Sequence, residues 1–172
     1  IMTSHRINIS LPGGGGRMGV MLIREIAQVD NLCLVAATDR PDSPFIGRDS
    51  GDLAGLVSNG VLLGVDPESL FLEADVVIDF SAPGASIHHA ALAAETRKAM
   101  VIGTTGLTPN QEDMLRQAAR HTAIVYCANT SVGVTLLTQL VEKVAAQLTT
   151  GWDIEILETH HHHKVDAPSG TA

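Results

Sequence analysis

A run of four glycines lies between a strand pattern and a helix pattern near the start of the chain. The apolar segment Ile7 to Leu11 is typical of a buried strand, and residues 20–29 have the apolar spacing of an amphipathic helix. Gly13 to Gly16 join the two. Only glycine lets the backbone turn this tightly and lie close to a pyrophosphate, whose charge would face the free N–H groups of the helix.

Two assignments of the glycine fingerprint are open. Gly14, Gly16 and Gly19 satisfy G-x-G-x-x-G, and the spacing Gly13, Gly16, Gly19 is also present. A glycine-rich turn by itself can also be a flexible connection between a strand and a helix. The interpretation therefore depends on its context, which includes an acid at the end of the next strand.

Asp39 is that acid. The second strand pattern ends at Thr38, and Asp39 lies twenty residues beyond Gly19, where dinucleotide-binding folds have an acid that accepts hydrogen bonds from the adenosine ribose. Taken alone, Asp39 could equally belong to a surface turn. Arg40 beside it can pair with a 2′-phosphate, so we expect both NADH and NADPH to be usable, with Asp39 favouring the unphosphorylated ribose.

Short apolar strand patterns alternate with helix patterns over most of the chain. The clearest helix start is Thr108-Pro109-Asn110-Gln111, which has the residues of a capping box. Asp66-Pro67-Glu68 predicts another helix that begins in the same way. The alternation predicts right-handed βαβ crossovers and a Rossmann-like, doubly wound parallel sheet of the α/β class. The predicted strands are Ile7 to Leu11, Cys33 to Thr38, Asp75 to Phe80, Met100 to Gly103 and Ala123 to Ala128.

The pattern changes near Asn129. Residues 132–148 carry leucine and valine at three- and four-residue spacing, which predicts a long helix, and residues 152–159 are predicted to form one further strand. We therefore expect a dinucleotide-binding domain over residues 1–129 and the beginning of an incomplete α+β substrate-binding and oligomerisation domain over residues 130–172. We expect the chain to be part of a longer protein.

Two polar loops follow later strands of the predicted sheet. They are Gly103-Thr104-Thr105-Gly106 and Cys127-Ala128-Asn129-Thr130. Because the carboxyl ends of parallel strands form the ligand crevice of an open sheet, both loops are predicted to line a nicotinamide. Each string taken alone is an ordinary turn.

Four consecutive histidines, His160 to His163, precede Lys164. An internal tract of this length is unlike a terminal purification tag. Zinc binding is a second alternative, but neighbours on an extended segment face opposite sides and leave at most two ligands on each, so no metal is predicted. The third alternative is acid–base and anion-binding chemistry, because histidine exchanges a proton near neutral pH and lysine carries a compact positive charge.

The third alternative predicts a small anionic substrate. His160 and Lys164 share one side of an extended segment, so both can face one pocket. Ser169-Gly170-Thr171 adds two hydroxyls and a backbone that a carboxylate can approach closely. Such a pocket would be locally cationic on a protein whose formal net charge is -8.

Composition excludes several classes of partner. With 11 basic against 19 acidic residues and no basic patch, a nucleic-acid partner is not expected. No apolar run approaches the roughly 18 residues of a membrane span, and no secretory signal is recognisable, so we expect a cytoplasmic protein without a membrane partner. Cys33 and Cys127 sit singly in apolar runs and are predicted to be buried thiols.

The segment from Glu158 to Ala172, ETHHHHKVDAPSGTA, closely resembles the E-x-H-H-x-H-K-x-D-A-P-S-G-T-A signature of the 4-hydroxy-tetrahydrodipicolinate reductase (dihydrodipicolinate reductase) family. The resemblance extends over essentially the whole chain. The chain differs from the family pattern at His162, where arginine is common, and at Thr130, where an aromatic residue is frequent. Supporting motifs are Gly16-Arg17-Met18-Gly19, Asp79-Phe80-Ser81, Gly103-Thr104-Thr105-Gly106 and Asn129-Thr130-Ser131-Val132-Gly133-Val134.

The resemblance implies reduction of 4-hydroxy-tetrahydrodipicolinate to tetrahydrodipicolinate with NADH or NADPH, in diaminopimelate and lysine biosynthesis. It implies that His160 donates or accepts a proton and that Lys164 is a proton donor. His161, Gly170 and Thr171 would hold the carboxylates of the small dicarboxylate substrate. The implied cofactor-binding residues are Gly13, Gly14, Gly15, Gly16, Arg17, Met18, Asp39, Arg40, Gly103, Thr104, Thr105, Cys127, Ala128, Asn129 and Thr130.

The family also implies a homotetramer for the full-length protein and a polypeptide that continues well beyond residue 172. We therefore expect this chain alone to bind nucleotide weakly and to turn over slowly. A non-catalytic nucleotide-binding module or sensor is the alternative function.

Overall fold

The computed structural model describes residues 6–127, 129–148 and 150–160. The chain divides into two compact units, one ending at Tyr126 and the other beginning at Cys127. The expected boundary between residues 129 and 130, with an incomplete substrate domain after it, stays a prediction.

The first unit is built on one parallel sheet. Its strands are β1 (Ile7–Pro12), β2 (Leu32–Thr38), β3 (Leu63–Gly64), β4 (Val76–Asp79), β5 (Ala99–Ile102) and β6 (Ile124–Tyr126). They lie in the order β3-β2-β1-β4-β5-β6, and every neighbouring pair is parallel. The order reverses between β1 and β4, which is where ligands bind in open sheets of this kind. The prediction of a Rossmann-like α/β fold is confirmed.

Helices cover both faces of the sheet. They are α1 (Arg17–Ala27), α2 (Ser50–Leu53), α3 (Pro83–Thr96) and α4 (Pro109–Ala118), with a 3₁₀ turn over Pro67–Phe71. The predicted capping box of α4 is present, because Gln111 N donates to Thr108 Oγ1 and Thr108 N donates to Gln111 Oε1. This satisfies two of the N–H groups that a helix start leaves unpaired.

Two apolar clusters hold these layers together. Ile9 and Leu11 pack with Ile23 and Ile26 of α1 on one face of the sheet. The other face packs against α3, α4 and the 3₁₀ turn through the buried residues Leu70, Phe71, Val77, Met100, Ile102 and Leu115. Burial on both faces explains why the strands are almost continuously apolar.

Four elements differ from the sequence prediction. The predicted strand over residues 152–159 is wrong: the structure has no strand there, because none of the described strands pairs with that segment. The helix predicted to begin at Asp66 is only a 3₁₀ turn, although Asp66 Oδ1 does accept a hydrogen bond from Glu68 N. The edge strand β3 and the one-turn α2 were not predicted.

The second unit contains α5 (Val132–Gln147). Ser131 caps it, since its Oγ accepts a hydrogen bond from Val134 N at 3.3 Å. None of the α5 side chains is buried, and its apolar residues include the exposed Leu136, Leu137, Leu140 and Val144. Among the described residues, no helix combines the length and apolar character needed to cross a membrane.

Candidate functional site

A cleft of about 550 Å³ opens at the carboxyl ends of β1, β2 and β4. Its walls include the predicted site residues Gly13, Gly15, Gly16, Asp39 and Arg40. The fold therefore brings the glycine turn and the acid that follows it to one place, as the fingerprint predicts.

The turn uses glycine at three positions spaced by three, and the need for glycine is clearest at the first and the last. Gly13 has a φ of +71°, which L residues with a side chain rarely adopt. Gly16 N donates to Gly13 O at 3.0 Å, which closes the turn. A Cβ on Gly19 would lie 2.3 Å from Gly13 O, so the first turn of α1 can pack on this loop only without a side chain. The structure thus fits the spacing Gly13, Gly16, Gly19.

Gly15 brings the turn against the acid. A Cβ placed on it would lie 2.5 Å from Asp39 Oδ2 and 2.6 Å from Phe45 Cδ2. Gly14 lies beneath, buried against Ala37, with its N–H donated to Thr38 O. Gly14 therefore packs the turn against the sheet, whereas Gly15 faces the cleft.

The start of α1 is suited to an anion. Gly16 is its N-cap and supplies no side-chain hydrogen bond, and the first turn holds no acidic side chain. The N–H groups and the positive end of the helix dipole are thus left for a ligand. Arg17 and Met18 lie in this first turn with exposed side chains but do not line the cleft.

Asp39 and Arg40 have neighbours that the sequence analysis did not single out. Asp39 Oδ1 accepts a hydrogen bond from Arg40 N, and Oδ2 accepts one from Ser43 Oγ, each at 2.9 Å. Arg40 Nε lies 3.1 Å from Asp42 Oδ1, with 73% and 78% of the two side chains exposed. The carboxylate is held in place, and the arginine forms a weak surface ion pair.

A buried acid and histidine form a second cluster at this end of the sheet. Asp79 ends β4 and is fully buried, and its Oδ2 lies 2.8 Å from Nδ1 of His89 on α3. Asp79 Oδ1 accepts hydrogen bonds from Ser81 N at 2.8 Å and Ser81 Oγ at 2.6 Å. Burial alone would raise the pKa of Asp79, but these hydrogen bonds and the charge of His89 outweigh it and hold that pKa below the ordinary value.

The predicted loop after β5 supports this cluster. Thr104 is buried, accepts a hydrogen bond from Ser86 Oγ at 2.8 Å and donates one of 3.5 Å to Asp79 Oδ1. Gly103 lies against the ring of Phe80, where an added Cβ would be 2.0 Å from Cε1. Neither these residues nor Thr105 lines the cleft, so their predicted contact with a nicotinamide stays a prediction.

The remaining predicted site residues belong to the second unit. Cys127 Sγ donates to Asn129 O at 2.6 Å, and Asn129 Oδ1 accepts from Ser131 N at 2.9 Å, while Thr130 is exposed. Ala128 lies outside the described residues. Cys33 and Cys127 are both free thiols that are half-buried rather than buried.

His160 is the last residue of the described part. Its Nε2 lies 3.0 Å from Glu158 Oε2, with 40% and 27% of the side chains exposed. His161, Lys164, Gly170 and Thr171 fall outside the described residues. No cluster of three or more potential metal ligands occurs in the part of the chain that the structure describes.

Sequence reasoning missed that Asp79, buried behind the cleft, pairs with His89 in the cleft wall. The sequence indicates this pair only weakly. An acid ends a strand pattern, and Ala82, Ala85 and His89 follow at the three- and four-residue spacing of one helix face. His88 beside His89 obscured it, because only packing decides which of two adjacent histidines faces inward.

Comparison with known proteins decides the family. Residues 7–130 match the model described as dihydrodipicolinate reductase, N-terminus, and residues 133–172 match the model described as dihydrodipicolinate reductase, C-terminus. The chain belongs to the dihydrodipicolinate reductase family. The resemblance seen in the sequence is therefore confirmed.

Curated relatives of the dihydrodipicolinate reductase family agree. The chain is 51% identical over 169 residues to a 4-hydroxy-tetrahydrodipicolinate reductase of Ruegeria pomeroyi, a match that covers 98% of this chain and 63% of that protein. It is 48% identical over 172 residues to the protein of that name in Sinorhizobium medicae, covering 99% of this chain and 63% of the relative. The chain thus spans somewhat less than two thirds of the length of these relatives.

Solved structures show the same fold. Dipicolinate-bound dihydrodipicolinate reductase from Paenisporosarcina sp. TG-14 is 29% identical, with a TM-score of 0.72 over 96% of this chain and 62% of that chain. Apo scyllo-inositol dehydrogenase from Lactobacillus casei is 20% identical, with a TM-score of 0.61 over 84% of this chain and 43% of that chain. The second likeness shows the fold alone.

Proposed function

We propose that this chain is the nucleotide-binding part of an enzyme that reduces 4-hydroxy-tetrahydrodipicolinate to tetrahydrodipicolinate with NADH or NADPH, in diaminopimelate and lysine biosynthesis. The observation that carries the proposal is the cleft that brings the glycine turn together with Asp39. The names of the relatives at about half identity support the reaction.

The cleft fits a dinucleotide on steric grounds. A side chain at Gly15 or Gly19 would collide with neighbouring atoms, and the missing side chains leave the backbone of the turn bare where a pyrophosphate would lie. Gly13, Gly15 and Gly16 would hold the pyrophosphate, and the positive end of α1 would stabilise its charge. When bound, NADH or NADPH supplies the hydride for the reduction.

Asp39 and Arg40 would set the choice between the two cofactors. The fixed carboxylate of Asp39 would accept hydrogen bonds from the adenosine ribose, which favours NADH. Arg40 would pair with the 2′-phosphate of NADPH after leaving Asp42, and an exposed ion pair costs little to break. Both cofactors are therefore expected to work, with NADH preferred.

The histidine–lysine segment would bind and protonate the substrate. We assign His160 as the proton donor or acceptor, and the Glu158 carboxylate, 3.0 Å from its Nε2, would orient the ring. Lys164 would donate a proton to the ring carbon of the reduced substrate, while His161, Gly170 and Thr171 hold its carboxylates. The cationic groups would also stabilise the negative charge that develops as hydride is added.

The proposal also covers the substrate class, localisation and oligomeric state of the enzyme. Its partner is a small dicarboxylate, and the full-length protein is a cytoplasmic homotetramer. Because the chain spans 63% of its relatives, slow turnover by the chain alone is part of the proposal.

The test is oxidation of NADH with freshly generated substrate, compared between the unsubstituted protein, His160→Ala and Lys164→Ala. Both substitutions should lower kcat by about 100-fold or more, as expected for loss of a general acid or base, while leaving the Kd for NADH unchanged. Equal rates in all three proteins would contradict the assigned roles. NADH binding without turnover in any of them would favour a non-catalytic sensor.

A further inference from the structure

His89 presents one ring nitrogen to the cleft. It lines the cleft together with Ala82 and Ala85, which precede it by seven and four residues and so share its face of α3. The residue is only 6% exposed. His89 is thus a nearly buried polar side chain in the wall of the cleft, on the side formed by the start of α3, where its neighbours Ala82 and Ala85 are apolar.

Asp79 determines which ring nitrogen carries a hydrogen. Its Oδ1 accepts two hydrogen bonds from Ser81, and its Oδ2 lies 2.8 Å from His89 Nδ1. A carboxylate can only accept, so Nδ1 must donate. In the neutral ring, Nε2 is then a hydrogen-bond acceptor.

Nε2 is also accessible. Among the described residues, Ser10 Oγ is the only fully buried side-chain polar atom without a hydrogen-bond partner. No described residue pairs with His89 Nε2, so this atom is reached from the cleft rather than sealed in the core.

The part of the cleft beyond Asp39 has the shape of a base pocket. The ribose bound by Asp39 would carry its base away from the glycine turn, toward walls that come from the ends of β2 and β3 and from the start of α3. These walls are Arg40, Pro41, Val65, Pro67, Ala82, Ala85 and His89. Mostly apolar walls with one fixed acceptor suit a flat heteroaromatic base that carries an amino group.

We propose that His89 reads the adenine base, accepting a hydrogen bond at Nε2 from its exocyclic amino group, and that Asp79 is the positioning residue that fixes the required tautomer. The inference rests on the proposed binding of a nicotinamide dinucleotide. It adds a specificity determinant at the base, a part of the cofactor to which none of the roles assigned above refers.

The test compares NADH with reduced nicotinamide hypoxanthine dinucleotide, in which a carbonyl oxygen replaces the amino group. That oxygen would face the lone pair of Nε2, so the protein should bind NADH about two- to tenfold more tightly, the range of one net hydrogen bond. The Kd values are measured by nicotinamide fluorescence on titration with the protein in alkaline buffer.

Three variants separate the base contact from folding. In His89→Asn the amide nitrogen can still donate to Asp79 while the Nε2 acceptor is gone, so the preference for NADH should vanish. The matched control His88→Asn changes an exposed neighbour on the same helix and should keep the preference. In Asp79→Asn the amide oxygen must accept from Ser81 N, which turns the NH₂ toward Nδ1, moves the ring hydrogen to Nε2 and should reverse the preference.

The outcomes are distinct. Loss of the preference in His89→Asn and its reversal in Asp79→Asn support the proposal. An unchanged preference in His89→Asn, with thermal unfolding like that of the control, overturns the proposal that His89 recognises the base. It leaves the proposed dinucleotide binding standing. Failure of the unsubstituted protein to bind NADH overturns both this inference and the proposed cofactor.

Discussion

Ser43 Oγ donates a 2.9 Å hydrogen bond to Oδ2 of Asp39, the acid predicted to recognise the ribose. This bond fixes the carboxylate before a ligand arrives. Ser43→Ala should therefore raise the Kd for NADH about two- to tenfold, the range for loss of one hydrogen bond. Ser58→Ala is a matched control, because Ser58 makes a similar bond to Asp52 at 2.6 Å and does not line the cleft. Equal Kd values for the two variants would contradict the role of Ser43.

Asp42 is expected to weaken the binding of NADPH. It pairs with Arg40 Nε and adds a negative charge near the place predicted for the 2′-phosphate. Asp42→Asn should lower the Kd for NADPH several-fold and leave the Kd for NADH and the Tm nearly unchanged, since an exposed pair contributes about 0–1 kcal/mol. Asp30→Asn, an exposed position after α1, controls for the change in net charge. A fall in NADPH affinity would refute this role.

Asp79 should contribute stability that disappears in acid. Asp79→Ala breaks the buried pair with His89 and is expected to lower the free energy of unfolding by about 3–5 kcal/mol at neutral pH. A carboxyl whose pKa is lower in the folded state stabilises the protein above its unfolded value, here 3.8, and loses this contribution as pH falls through the folded value.

Urea titrations of the unsubstituted protein and Asp79→Ala over a range of pH check this dependence. The difference in free energy of unfolding should be constant through neutral and mildly acidic pH and shrink as pH falls below 3.8. A difference that grows as pH falls would contradict the lowered pKa of Asp79 in the folded state. Asp30→Ala should give no comparable difference.

Asp49 should organise the irregular segment after β2. Its carboxylate accepts hydrogen bonds from the backbone N–H groups of Gly51, Asp52, Asn59 and Gly60. Desolvation alone would raise the pKa of Asp49, but these bonds outweigh it and lower that pKa. Asp49→Ala should therefore speed amide hydrogen exchange at residues 59 and 60, measured by NMR, whereas Asp52→Ala should not. Unchanged exchange at both residues would contradict the assignment.

The central sheet could be predicted because its signals are local and strong. Buried parallel strands such as β1 and β2 are short continuous apolar runs, and the turn at Gly13 has few chemical alternatives to glycine. The two-residue strand β3 has no such signal: it forms because Leu63 and Gly64 lie beside Ala37 and Thr38, a contact between distant parts of the chain.

The parts of the site that sequence reasoning missed depend on how the backbone folds back on itself, which no local pattern shows. Asp79 and His89 meet because α3 folds back onto the end of β4, and Ser43 meets Asp39 through a turn of irregular sequence. The incorrect strand over residues 152–159 shows the opposite error, since an apolar, β-branched segment forms a strand only where a partner supplies hydrogen bonds.

Titration of NADH with the unsubstituted chain, Gly15→Ala and Gly133→Ala tests most directly that the glycine turn and Asp39 hold a dinucleotide. A Cβ at position 15 would meet Asp39 and Phe45, whereas one at position 133 would come no closer than 3.9 Å to Ser131 Oγ. Gly15→Ala should weaken NADH binding about tenfold or more, because relief of the contact moves Asp39 from the position that binds the ribose, and Gly133→Ala should bind as the unsubstituted chain does. Equal NADH affinity in all three folded proteins would contradict the assignment of this cleft.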